Sequence, residues 1–250
     1  MDRALCINRY DLPEKDAAAY LDWAHGSYFP RLLKRPGILW AAHMFCEGKD
    51  VPTPGRQIAP AGAVPPGYRY SLVLAAKDAH VFAKPPSGQS GPSGERDDTL
   101  TPDDRAMLAL RVGESRSVAV EQGRIEGPLA GTRKPDEALS PCVLLGSLNY
   151  AGDDEDMLTW FARIRDPVMR TLPGFLGMRK LVSVSGWAKH CMVYEFESVD
   201  SMLENYPKVL KNQTPESDEW NRRIMAKSVH GPGSPNVSRR IWSGVSKPVA

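Results

Sequence analysis

A chain of 250 residues with 42% apolar, 25% charged and 8% aromatic side chains has an ordinary globular make-up, which excludes a disordered, collagen-like or disulfide-built chain. Thirty-two Lys and Arg stand against 30 Asp and Glu, and the resulting net charge of +2 sets up no field that would gather nucleic acid or an anionic membrane. The four cysteines, Cys6, Cys46, Cys142 and Cys191, lie scattered in apolar runs without metal-ligand spacing, as small buried hydrophobes of a reduced, cytoplasmic protein would. Charge at Asp2 and Arg3 comes too early for a signal peptide, and no run reaches the roughly 20 apolar residues of a membrane span.

In chain order, the apolar run Ala4 to Ile7 predicts a first strand. Ala17, Leu21, Trp23/Ala24, Tyr28 and Leu32 then fall on one helical stripe, with Glu14 and Asp16 placed well for the dipole at its start. Pro30 is expected to break or kink that helix, and Pro36-Gly37 to turn the chain into a second strand, Ile38 to Phe45. A Pro/Gly-rich insertion, 48–67, precedes a third strand from Tyr68 to Leu74 and a helical stretch from Asp78. Residues 83–100 read as a polar surface loop, rich in Pro, Gly and Ser. Thr101-Pro102-Asp103 opens a helix with Thr as cap and Pro in the first turn, and Ser115 to Gln122 reads as a fourth strand.

The same order then recurs. Trp23, Pro30, Pro36 and Gly37 share the spacing W-x6-P-x5-P-G with Trp160, Pro167, Pro173 and Gly174, 137 residues on. Around the second copy stand strand-like runs at Val143 to Leu145, Phe175 to Val184, Met192 to Phe196 and Val237 to Val245, with helix starts at Asp200 and Thr214-Pro215-Glu216. Each half therefore orders as β-α-β-β-α-β, the ferredoxin-like split unit. The strands are apolar on both faces: Ile38, Trp40, Ala42 and Met44 on one, Leu39, Ala41 and Phe45 on the other. Such strands need cover on both sides, so the expected class is α+β, with two ferredoxin-like repeats closing an α/β barrel sheet against sheet within one chain. The division expected is 1–124 for the first repeat, 125–141 for a linker and 142–250 for the second.

The segment W-x-H-G-x-Y-x-P-x-L, carried by Trp23, His25, Gly26, Tyr28, Pro30 and Leu32 and followed by Pro36-Gly37, resembles the dimeric α/β-barrel superfamily. Its nearest likeness is to EthD-like and antibiotic-biosynthesis-monooxygenase-like members, here in tandem. The resemblance implies a monomeric pseudo-dimer or a homodimer, and a pocket between sheet and helices with His25 at its mouth. It spans monooxygenases without cofactor, cyclases, isomerases, haem-degrading enzymes and proteins without known activity, and a shared fold does not choose among them.

His25 is the leading candidate for chemistry, because imidazole exchanges protons near neutral pH. As general base it would act on a small hydrophobic, aromatic or polyketide-like carbonyl compound without a cofactor, with Tyr28 donating to the oxyanion. Trp23, Trp40 and Phe45 are candidate apolar walls. His43, of opposite parity to Trp40 on its strand, is a second acid/base candidate, with Lys180 in its place in the other half. Arg163 and Arg179, within a basic group that includes Arg165, Arg170 and Lys180, could bind a ligand carboxylate. His80, His190 and His230 read as surface residues, and no histidine pair has the spacing of a metal site. A binding protein without turnover and a haem protein are the competing expectations.

Overall fold

The computed structural model describes residues 2–48, 55–83, 100–134, 137–211 and 214–246. Most of the polar loop expected at 83–100, and part of the insertion at 48–67, therefore lie outside the described residues. Ten strands follow the chain as β1 (Ala4–Asp11), β2 (Ile38–Cys46), β3 (Gln57–Ile58), β4 (Tyr70–Ala76), β5 (Val112–Glu126), β6 (Cys142–Tyr150), β7 (Phe175–Ser185), β8 (His190–Phe196), β9 (Ser228–His230) and β10 (Asn236–Val245). Between them run α1 (Glu14–Trp23), α2 (Phe29–Leu32), α3 (Pro102–Leu108), α4 (Asp154–Trp160), α5 (Asp166–Met169), α6 (Val199–Asn205), α7 (Lys208–Lys211) and α8 (Pro215–Ala226).

Eight of the strands close a ring in the order β10-β2-β4-β1-β5-β7-β8-β6, and β6 returns to β10 through the pair Val237–Leu144. All neighbours in this ring are antiparallel. The quartets β2-β4-β1-β5 and β7-β8-β6-β10 have the same internal order, and the joins β5–β7 and β10–β2 complete the ring. The expected α+β class and closed barrel are what the chain adopts.

Alternation along each strand sorts side chains into two layers. Leu5, Ile7, Ala42, Met44 and Val73 meet Val143, Leu145, Leu181, Cys191 and Val193 inside the barrel. The opposite faces pack under the helices. In the first half Tyr10 and Leu72 lie with Tyr20, Ala24, Tyr28 and Phe29. In the second, Leu144 and Tyr194 lie with Met157, Trp160 and Phe161. Two-sided burial explains why these strands read as unbroken apolar runs.

Pro30 does not end its helix. A π-helical turn, Ala24–Tyr28, joins α1 to α2, and the Phe29 N–H reaches back to the Ala24 carbonyl, one residue further than in an α-helix. The second half repeats the device at Phe161–Arg165, where the Asp166 N–H reaches Phe161 before Pro167. Proline lacks an N–H and crowds the carbonyl one turn back, so a widened turn lets the helix pass through it. After each helix a Pro-Gly pair turns the chain, with Gly37 at φ +89° and Gly174 at φ +74°, in the region where a side chain is strained.

β5 extends through Gly123 to Glu126, beyond the strand expected to end at Gln122. Its polar end is held by ladder bonds to β7, with Arg124 opposite Arg179 and Ile125 opposite Met178, a support that apolar patterning does not register.

Candidate functional site

In the first half a chain of polar side chains runs from the helix into the core. His25 lies in the π turn, half-buried, with Nε2 2.8 Å from Nδ1 of His43 on β2. His43 is fully buried, and its Nε2 lies 2.9 Å from the Tyr10 hydroxyl on β1. The Tyr20 hydroxyl donates to that of Tyr10 at 3.2 Å, and Arg111 Nε donates to Tyr20 at 2.7 Å. Arg111 is paired with Glu114 at 2.6 Å and lies 4.4 Å above the Tyr10 ring.

Arginine only donates hydrogen bonds, so it sets a direction for the chain. Tyr20 accepts from Arg111 and donates to Tyr10, Tyr10 donates to His43, and His43 Nδ1–H donates to His25 Nε2. His25 then carries its own proton on Nδ1, the nitrogen left for a ligand. Burial, the adjacent His25 and the Arg111 cation hold His43 well below the usual histidine range, and burial also lowers His25. Both rings are neutral at pH 7. Burial raises the Tyr10 hydroxyl well above its usual value, while Arg111 pulls it back.

The other expected site residues are dispersed. Trp23 stacks on Tyr28 with centroids 4.6 Å apart and donates to Asp104 at 3.2 Å, so both rings line the helix core beside the chain, not within it. Trp40 lies on the barrel side of β2, bonded to Asp2 at 2.9 Å and under the Arg179 guanidinium; strand alternation turns it away from His43, and it is no wall for His25. Trp242 of β10 stacks on His25 instead, at 6.0 Å. Phe45 packs on Tyr70 at 5.3 Å, and Tyr70 on His43 at 5.6 Å. Arg179 is inside the barrel and paired with Asp2 at 2.5 Å, and Arg163 is exposed on the second π turn.

The second half builds a different site at the corresponding place. An apolar cavity of about 100 Å³ lies between the sheet and the helices, walled by Leu144, Met157, Trp160, Phe161, Met192 and Ile224 among others. Arg165, which takes the place of Tyr28 in the repeated spacing, lines it, buried and donating to the Tyr206 hydroxyl. His230 lines it too, buried, with burial and Arg56 pushing its pKa down to about 4. His230 was expected at the surface; the short β9 it occupies pairs with Leu148 of β6 and carries it inside. His190 corrects the same expectation, since it opens β8, is buried and bonds Asp154 at 3.1 Å. Lys180, in the place of His43, is buried over the Phe161 ring at 4.6 Å, and burial pushes its pKa down to about 8.

Among the described residues no cluster of three or more His, Cys, Asp or Glu is placed to hold a metal ion, and no helix is long and apolar enough to cross a membrane. Pockets for drug-sized ligands run to about 300–1,000 Å³. Cofactor sites fall in the same range, so the cavity of about 100 Å³ does not fit haem.

No family model matches the sequence, and no curated protein does. Solved structures do match in fold. The "putative monooxygenase" of Fusobacterium nucleatum subsp. nucleatum ATCC 25586 superposes with a TM-score of 0.54 at 9% identity over 99% of this chain and 96% of its own. An anthrone oxidase-like protein gives 0.53 at 8% identity over 100% and 95%. The dye-decolorizing protein of V. cholerae gives 0.50 at 9% identity over 98% and 94%. The chain thus has the ferredoxin-like α/β-barrel fold that these proteins share. At such identities the likeness shows the fold alone.

Proposed function

We propose that the protein is an enzyme of the monooxygenase, cyclase or isomerase type acting on a small apolar carbonyl compound, with His25 as the group that exchanges a proton with it. The observation that carries this reading is the chain Arg111–Tyr20–Tyr10–His43–His25, which ties a half-exposed imidazole to a buried cation. A neutral imidazole N–H can polarise a carbonyl oxygen without becoming charged. If solvent hydroxide takes the α-carbon proton as water while His25 gives its Nδ1 proton to the enolate oxygen that forms, each member of the chain moves one proton outward. The deficit ends on Tyr20 as a phenolate beside Arg111. A general base at Nδ1, the role expected from the sequence, requires the opposite polarity, which Arg111 opposes. No cofactor enters this scheme.

The matching strand quartets, paired π turns and W-x6-P-x5-P-G spacing support a tandem origin, with 1–124 and 142–250 as the two units of an EthD-like pseudo-dimer. In that arrangement the first unit does the chemistry and the second, with Ala162 where the first has His25, does not.

The test uses anthrone, the compound class named for one structural neighbour, incubated anaerobically in D2O. Wild-type protein should speed deuterium entry at the methylene carbon, and His25→Ala should lose about 10²–10⁴ of that rate. Equal rates in the two proteins would remove the proposal. The cavity of the second half favours a second reading, in which the barrel holds a small hydrophobic molecule without turnover. In that case His25→Ala binds as wild type does and no exchange is seen.

A further inference from the structure

We infer that the second-half cavity is a binding site for a compact monocarboxylate, a short branched aliphatic or single-ring aromatic acid, whose carboxylate meets Arg165 while its apolar body fills the space between Met157, Phe161 and Met192. The inference rests on this cavity alone and not on the chemistry of His25.

Two buried polar groups line this apolar space without full partners. Arg165 is 7% exposed, and its Nε has no hydrogen-bond partner. Its guanidinium is surrounded by the rings of Trp160, Tyr194 and Tyr206, at 5.9, 5.6 and 5.0 Å, and among the described residues no carboxylate lies within ion-pair distance of it, Asp166 feeling its charge only from further off. A buried cation so placed is stabilised by ring faces but not neutralised, and burying an uncompensated charge is costly. His230 is 4% exposed, and neither ring nitrogen has a partner. An anion entering the cavity supplies both: a carboxylate accepts from the guanidinium in the geometry arginine favours, and a neutral His230 has an N–H to donate.

The size of the space sets the rest of the molecule. An apolar cavity of about 150 Å³ takes up benzene. One of about 100 Å³ is smaller, so a branched chain of four or five carbons fits it directly and a single ring enters only as the wall yields. Met157, Met192 and Met225 on its wall are the side chains best able to adjust around such a body. Beyond Arg165 and His230 the wall carries no second charged group, only apolar side chains such as Leu144, Leu148 and Ile224 and the amide of Asn221, whose oxygen accepts from Trp160, which disfavours dicarboxylates. The sheet position Gly146 contributes to the room, since a Cβ there would come within 3.1 Å of the Met192 methyl.

Calorimetric titration of the full chain with isovalerate and benzoate, each against its neutral amide, tests this. The acids should bind at least tenfold more tightly than the amides at pH 7, and Arg165→Met should abolish that preference while leaving the amides unaffected. In the wild type, the 15N signal of Arg165 Nε should shift on saturation with benzoate. Equal affinity of acid and amide, no binding of either acid, or an unmoved Arg165 signal at saturation would each overturn the inference. If Arg165→Met does not fold, the wild-type comparison and the Arg165 signal decide the matter alone.

Discussion

His25 Nε2 stands 2.8 Å from His43 Nδ1, and this contact joins the only half-exposed member of a buried chain to the four behind it among the described residues. The arrangement is long-range in sequence: Tyr10 and His43 are 33 positions apart, and Tyr20 and Arg111 are 91. Its members depend on one another. Both tyrosine hydroxyls and both His43 nitrogens are satisfied by their neighbours in the chain, in a core where an unsatisfied group costs far more than a bond contributes.

Removing the Tyr10 hydroxyl leaves His43 Nε2 buried without its partner. Tyr10→Phe should destabilise the fold by about 1–3 kcal/mol, read as a lower urea midpoint with unchanged slope. Tyr68→Phe, outside the chain, should leave the midpoint where it is. A Tyr10→Phe midpoint equal to wild type would show that the hydroxyl does not bond His43.

Acid should weaken the protein from near neutrality. His25, His43, His190 and His230 all have pKa values lowered by burial, His230 to about 4. Between the ordinary histidine value of 6.5 and these lowered values, the unfolded chain binds protons that the folded chain does not. Stability is therefore greatest above pH 6.5 and is lost as pH falls through the folded values. The melting temperature should drop between pH 7 and pH 5, and His43→Gln should reduce that drop. A flat profile over this range would count against neutral, buried histidines.

Lys180 has the opposite reach in pH. With its folded pKa near 8 against an ordinary 10.5, the unfolded chain holds the extra proton between these values, and stability is lost as pH falls from 10.5 through 8. At pH 7 the full cost is present. Lys180→Met should raise the melting temperature at pH 7 and remove the rise in stability that wild type shows from pH 8 to 10. The gain is limited because Lys180 is one of the cations that attract Asp166. A lower melting temperature at pH 7 would mean that Lys180 has a compensating partner.

The Pro-Gly turns can be tested at Gly174. A side chain in the left-handed region costs about 1–2 kcal/mol, and a Cβ at this position would also collide with the Ser201 Oγ. Gly174→Ala should cost more than the conformational figure alone, and adding Ser201→Ala should recover the excess. If the double variant is no more stable than the single one, the collision is not the cause.

Much of the architecture was legible because it is local or periodic. Pro36-Gly37, Pro173-Gly174 and the Thr101 and Thr214 caps announce turns and helix starts on their own, and strand parity separates Trp40 from His43. The site was legible only at His25 and His43. Tyr10, Tyr20 and Arg111 carry no such signal, since nothing nearby in sequence marks their pairing. Arg163 was favoured over Arg165 although only Arg165 points inward; aligning the two W-x6-P-x5-P-G segments, which sets Arg165 against Tyr28, is the signal that would have found it. His230 gave no signal, because three residues of β9 are too few to show periodicity.

The central claim is that Arg111 polarises the chain so that a neutral His25 offers an N–H to the ligand. Long-range 1H–15N correlation of the His25 ring at pH 7 measures this without any substrate. The account predicts a neutral imidazole with its proton on Nδ1 and an unprotonated Nε2 accepting from His43. A proton on Nε2, or a charged His25 ring at that pH, would contradict it.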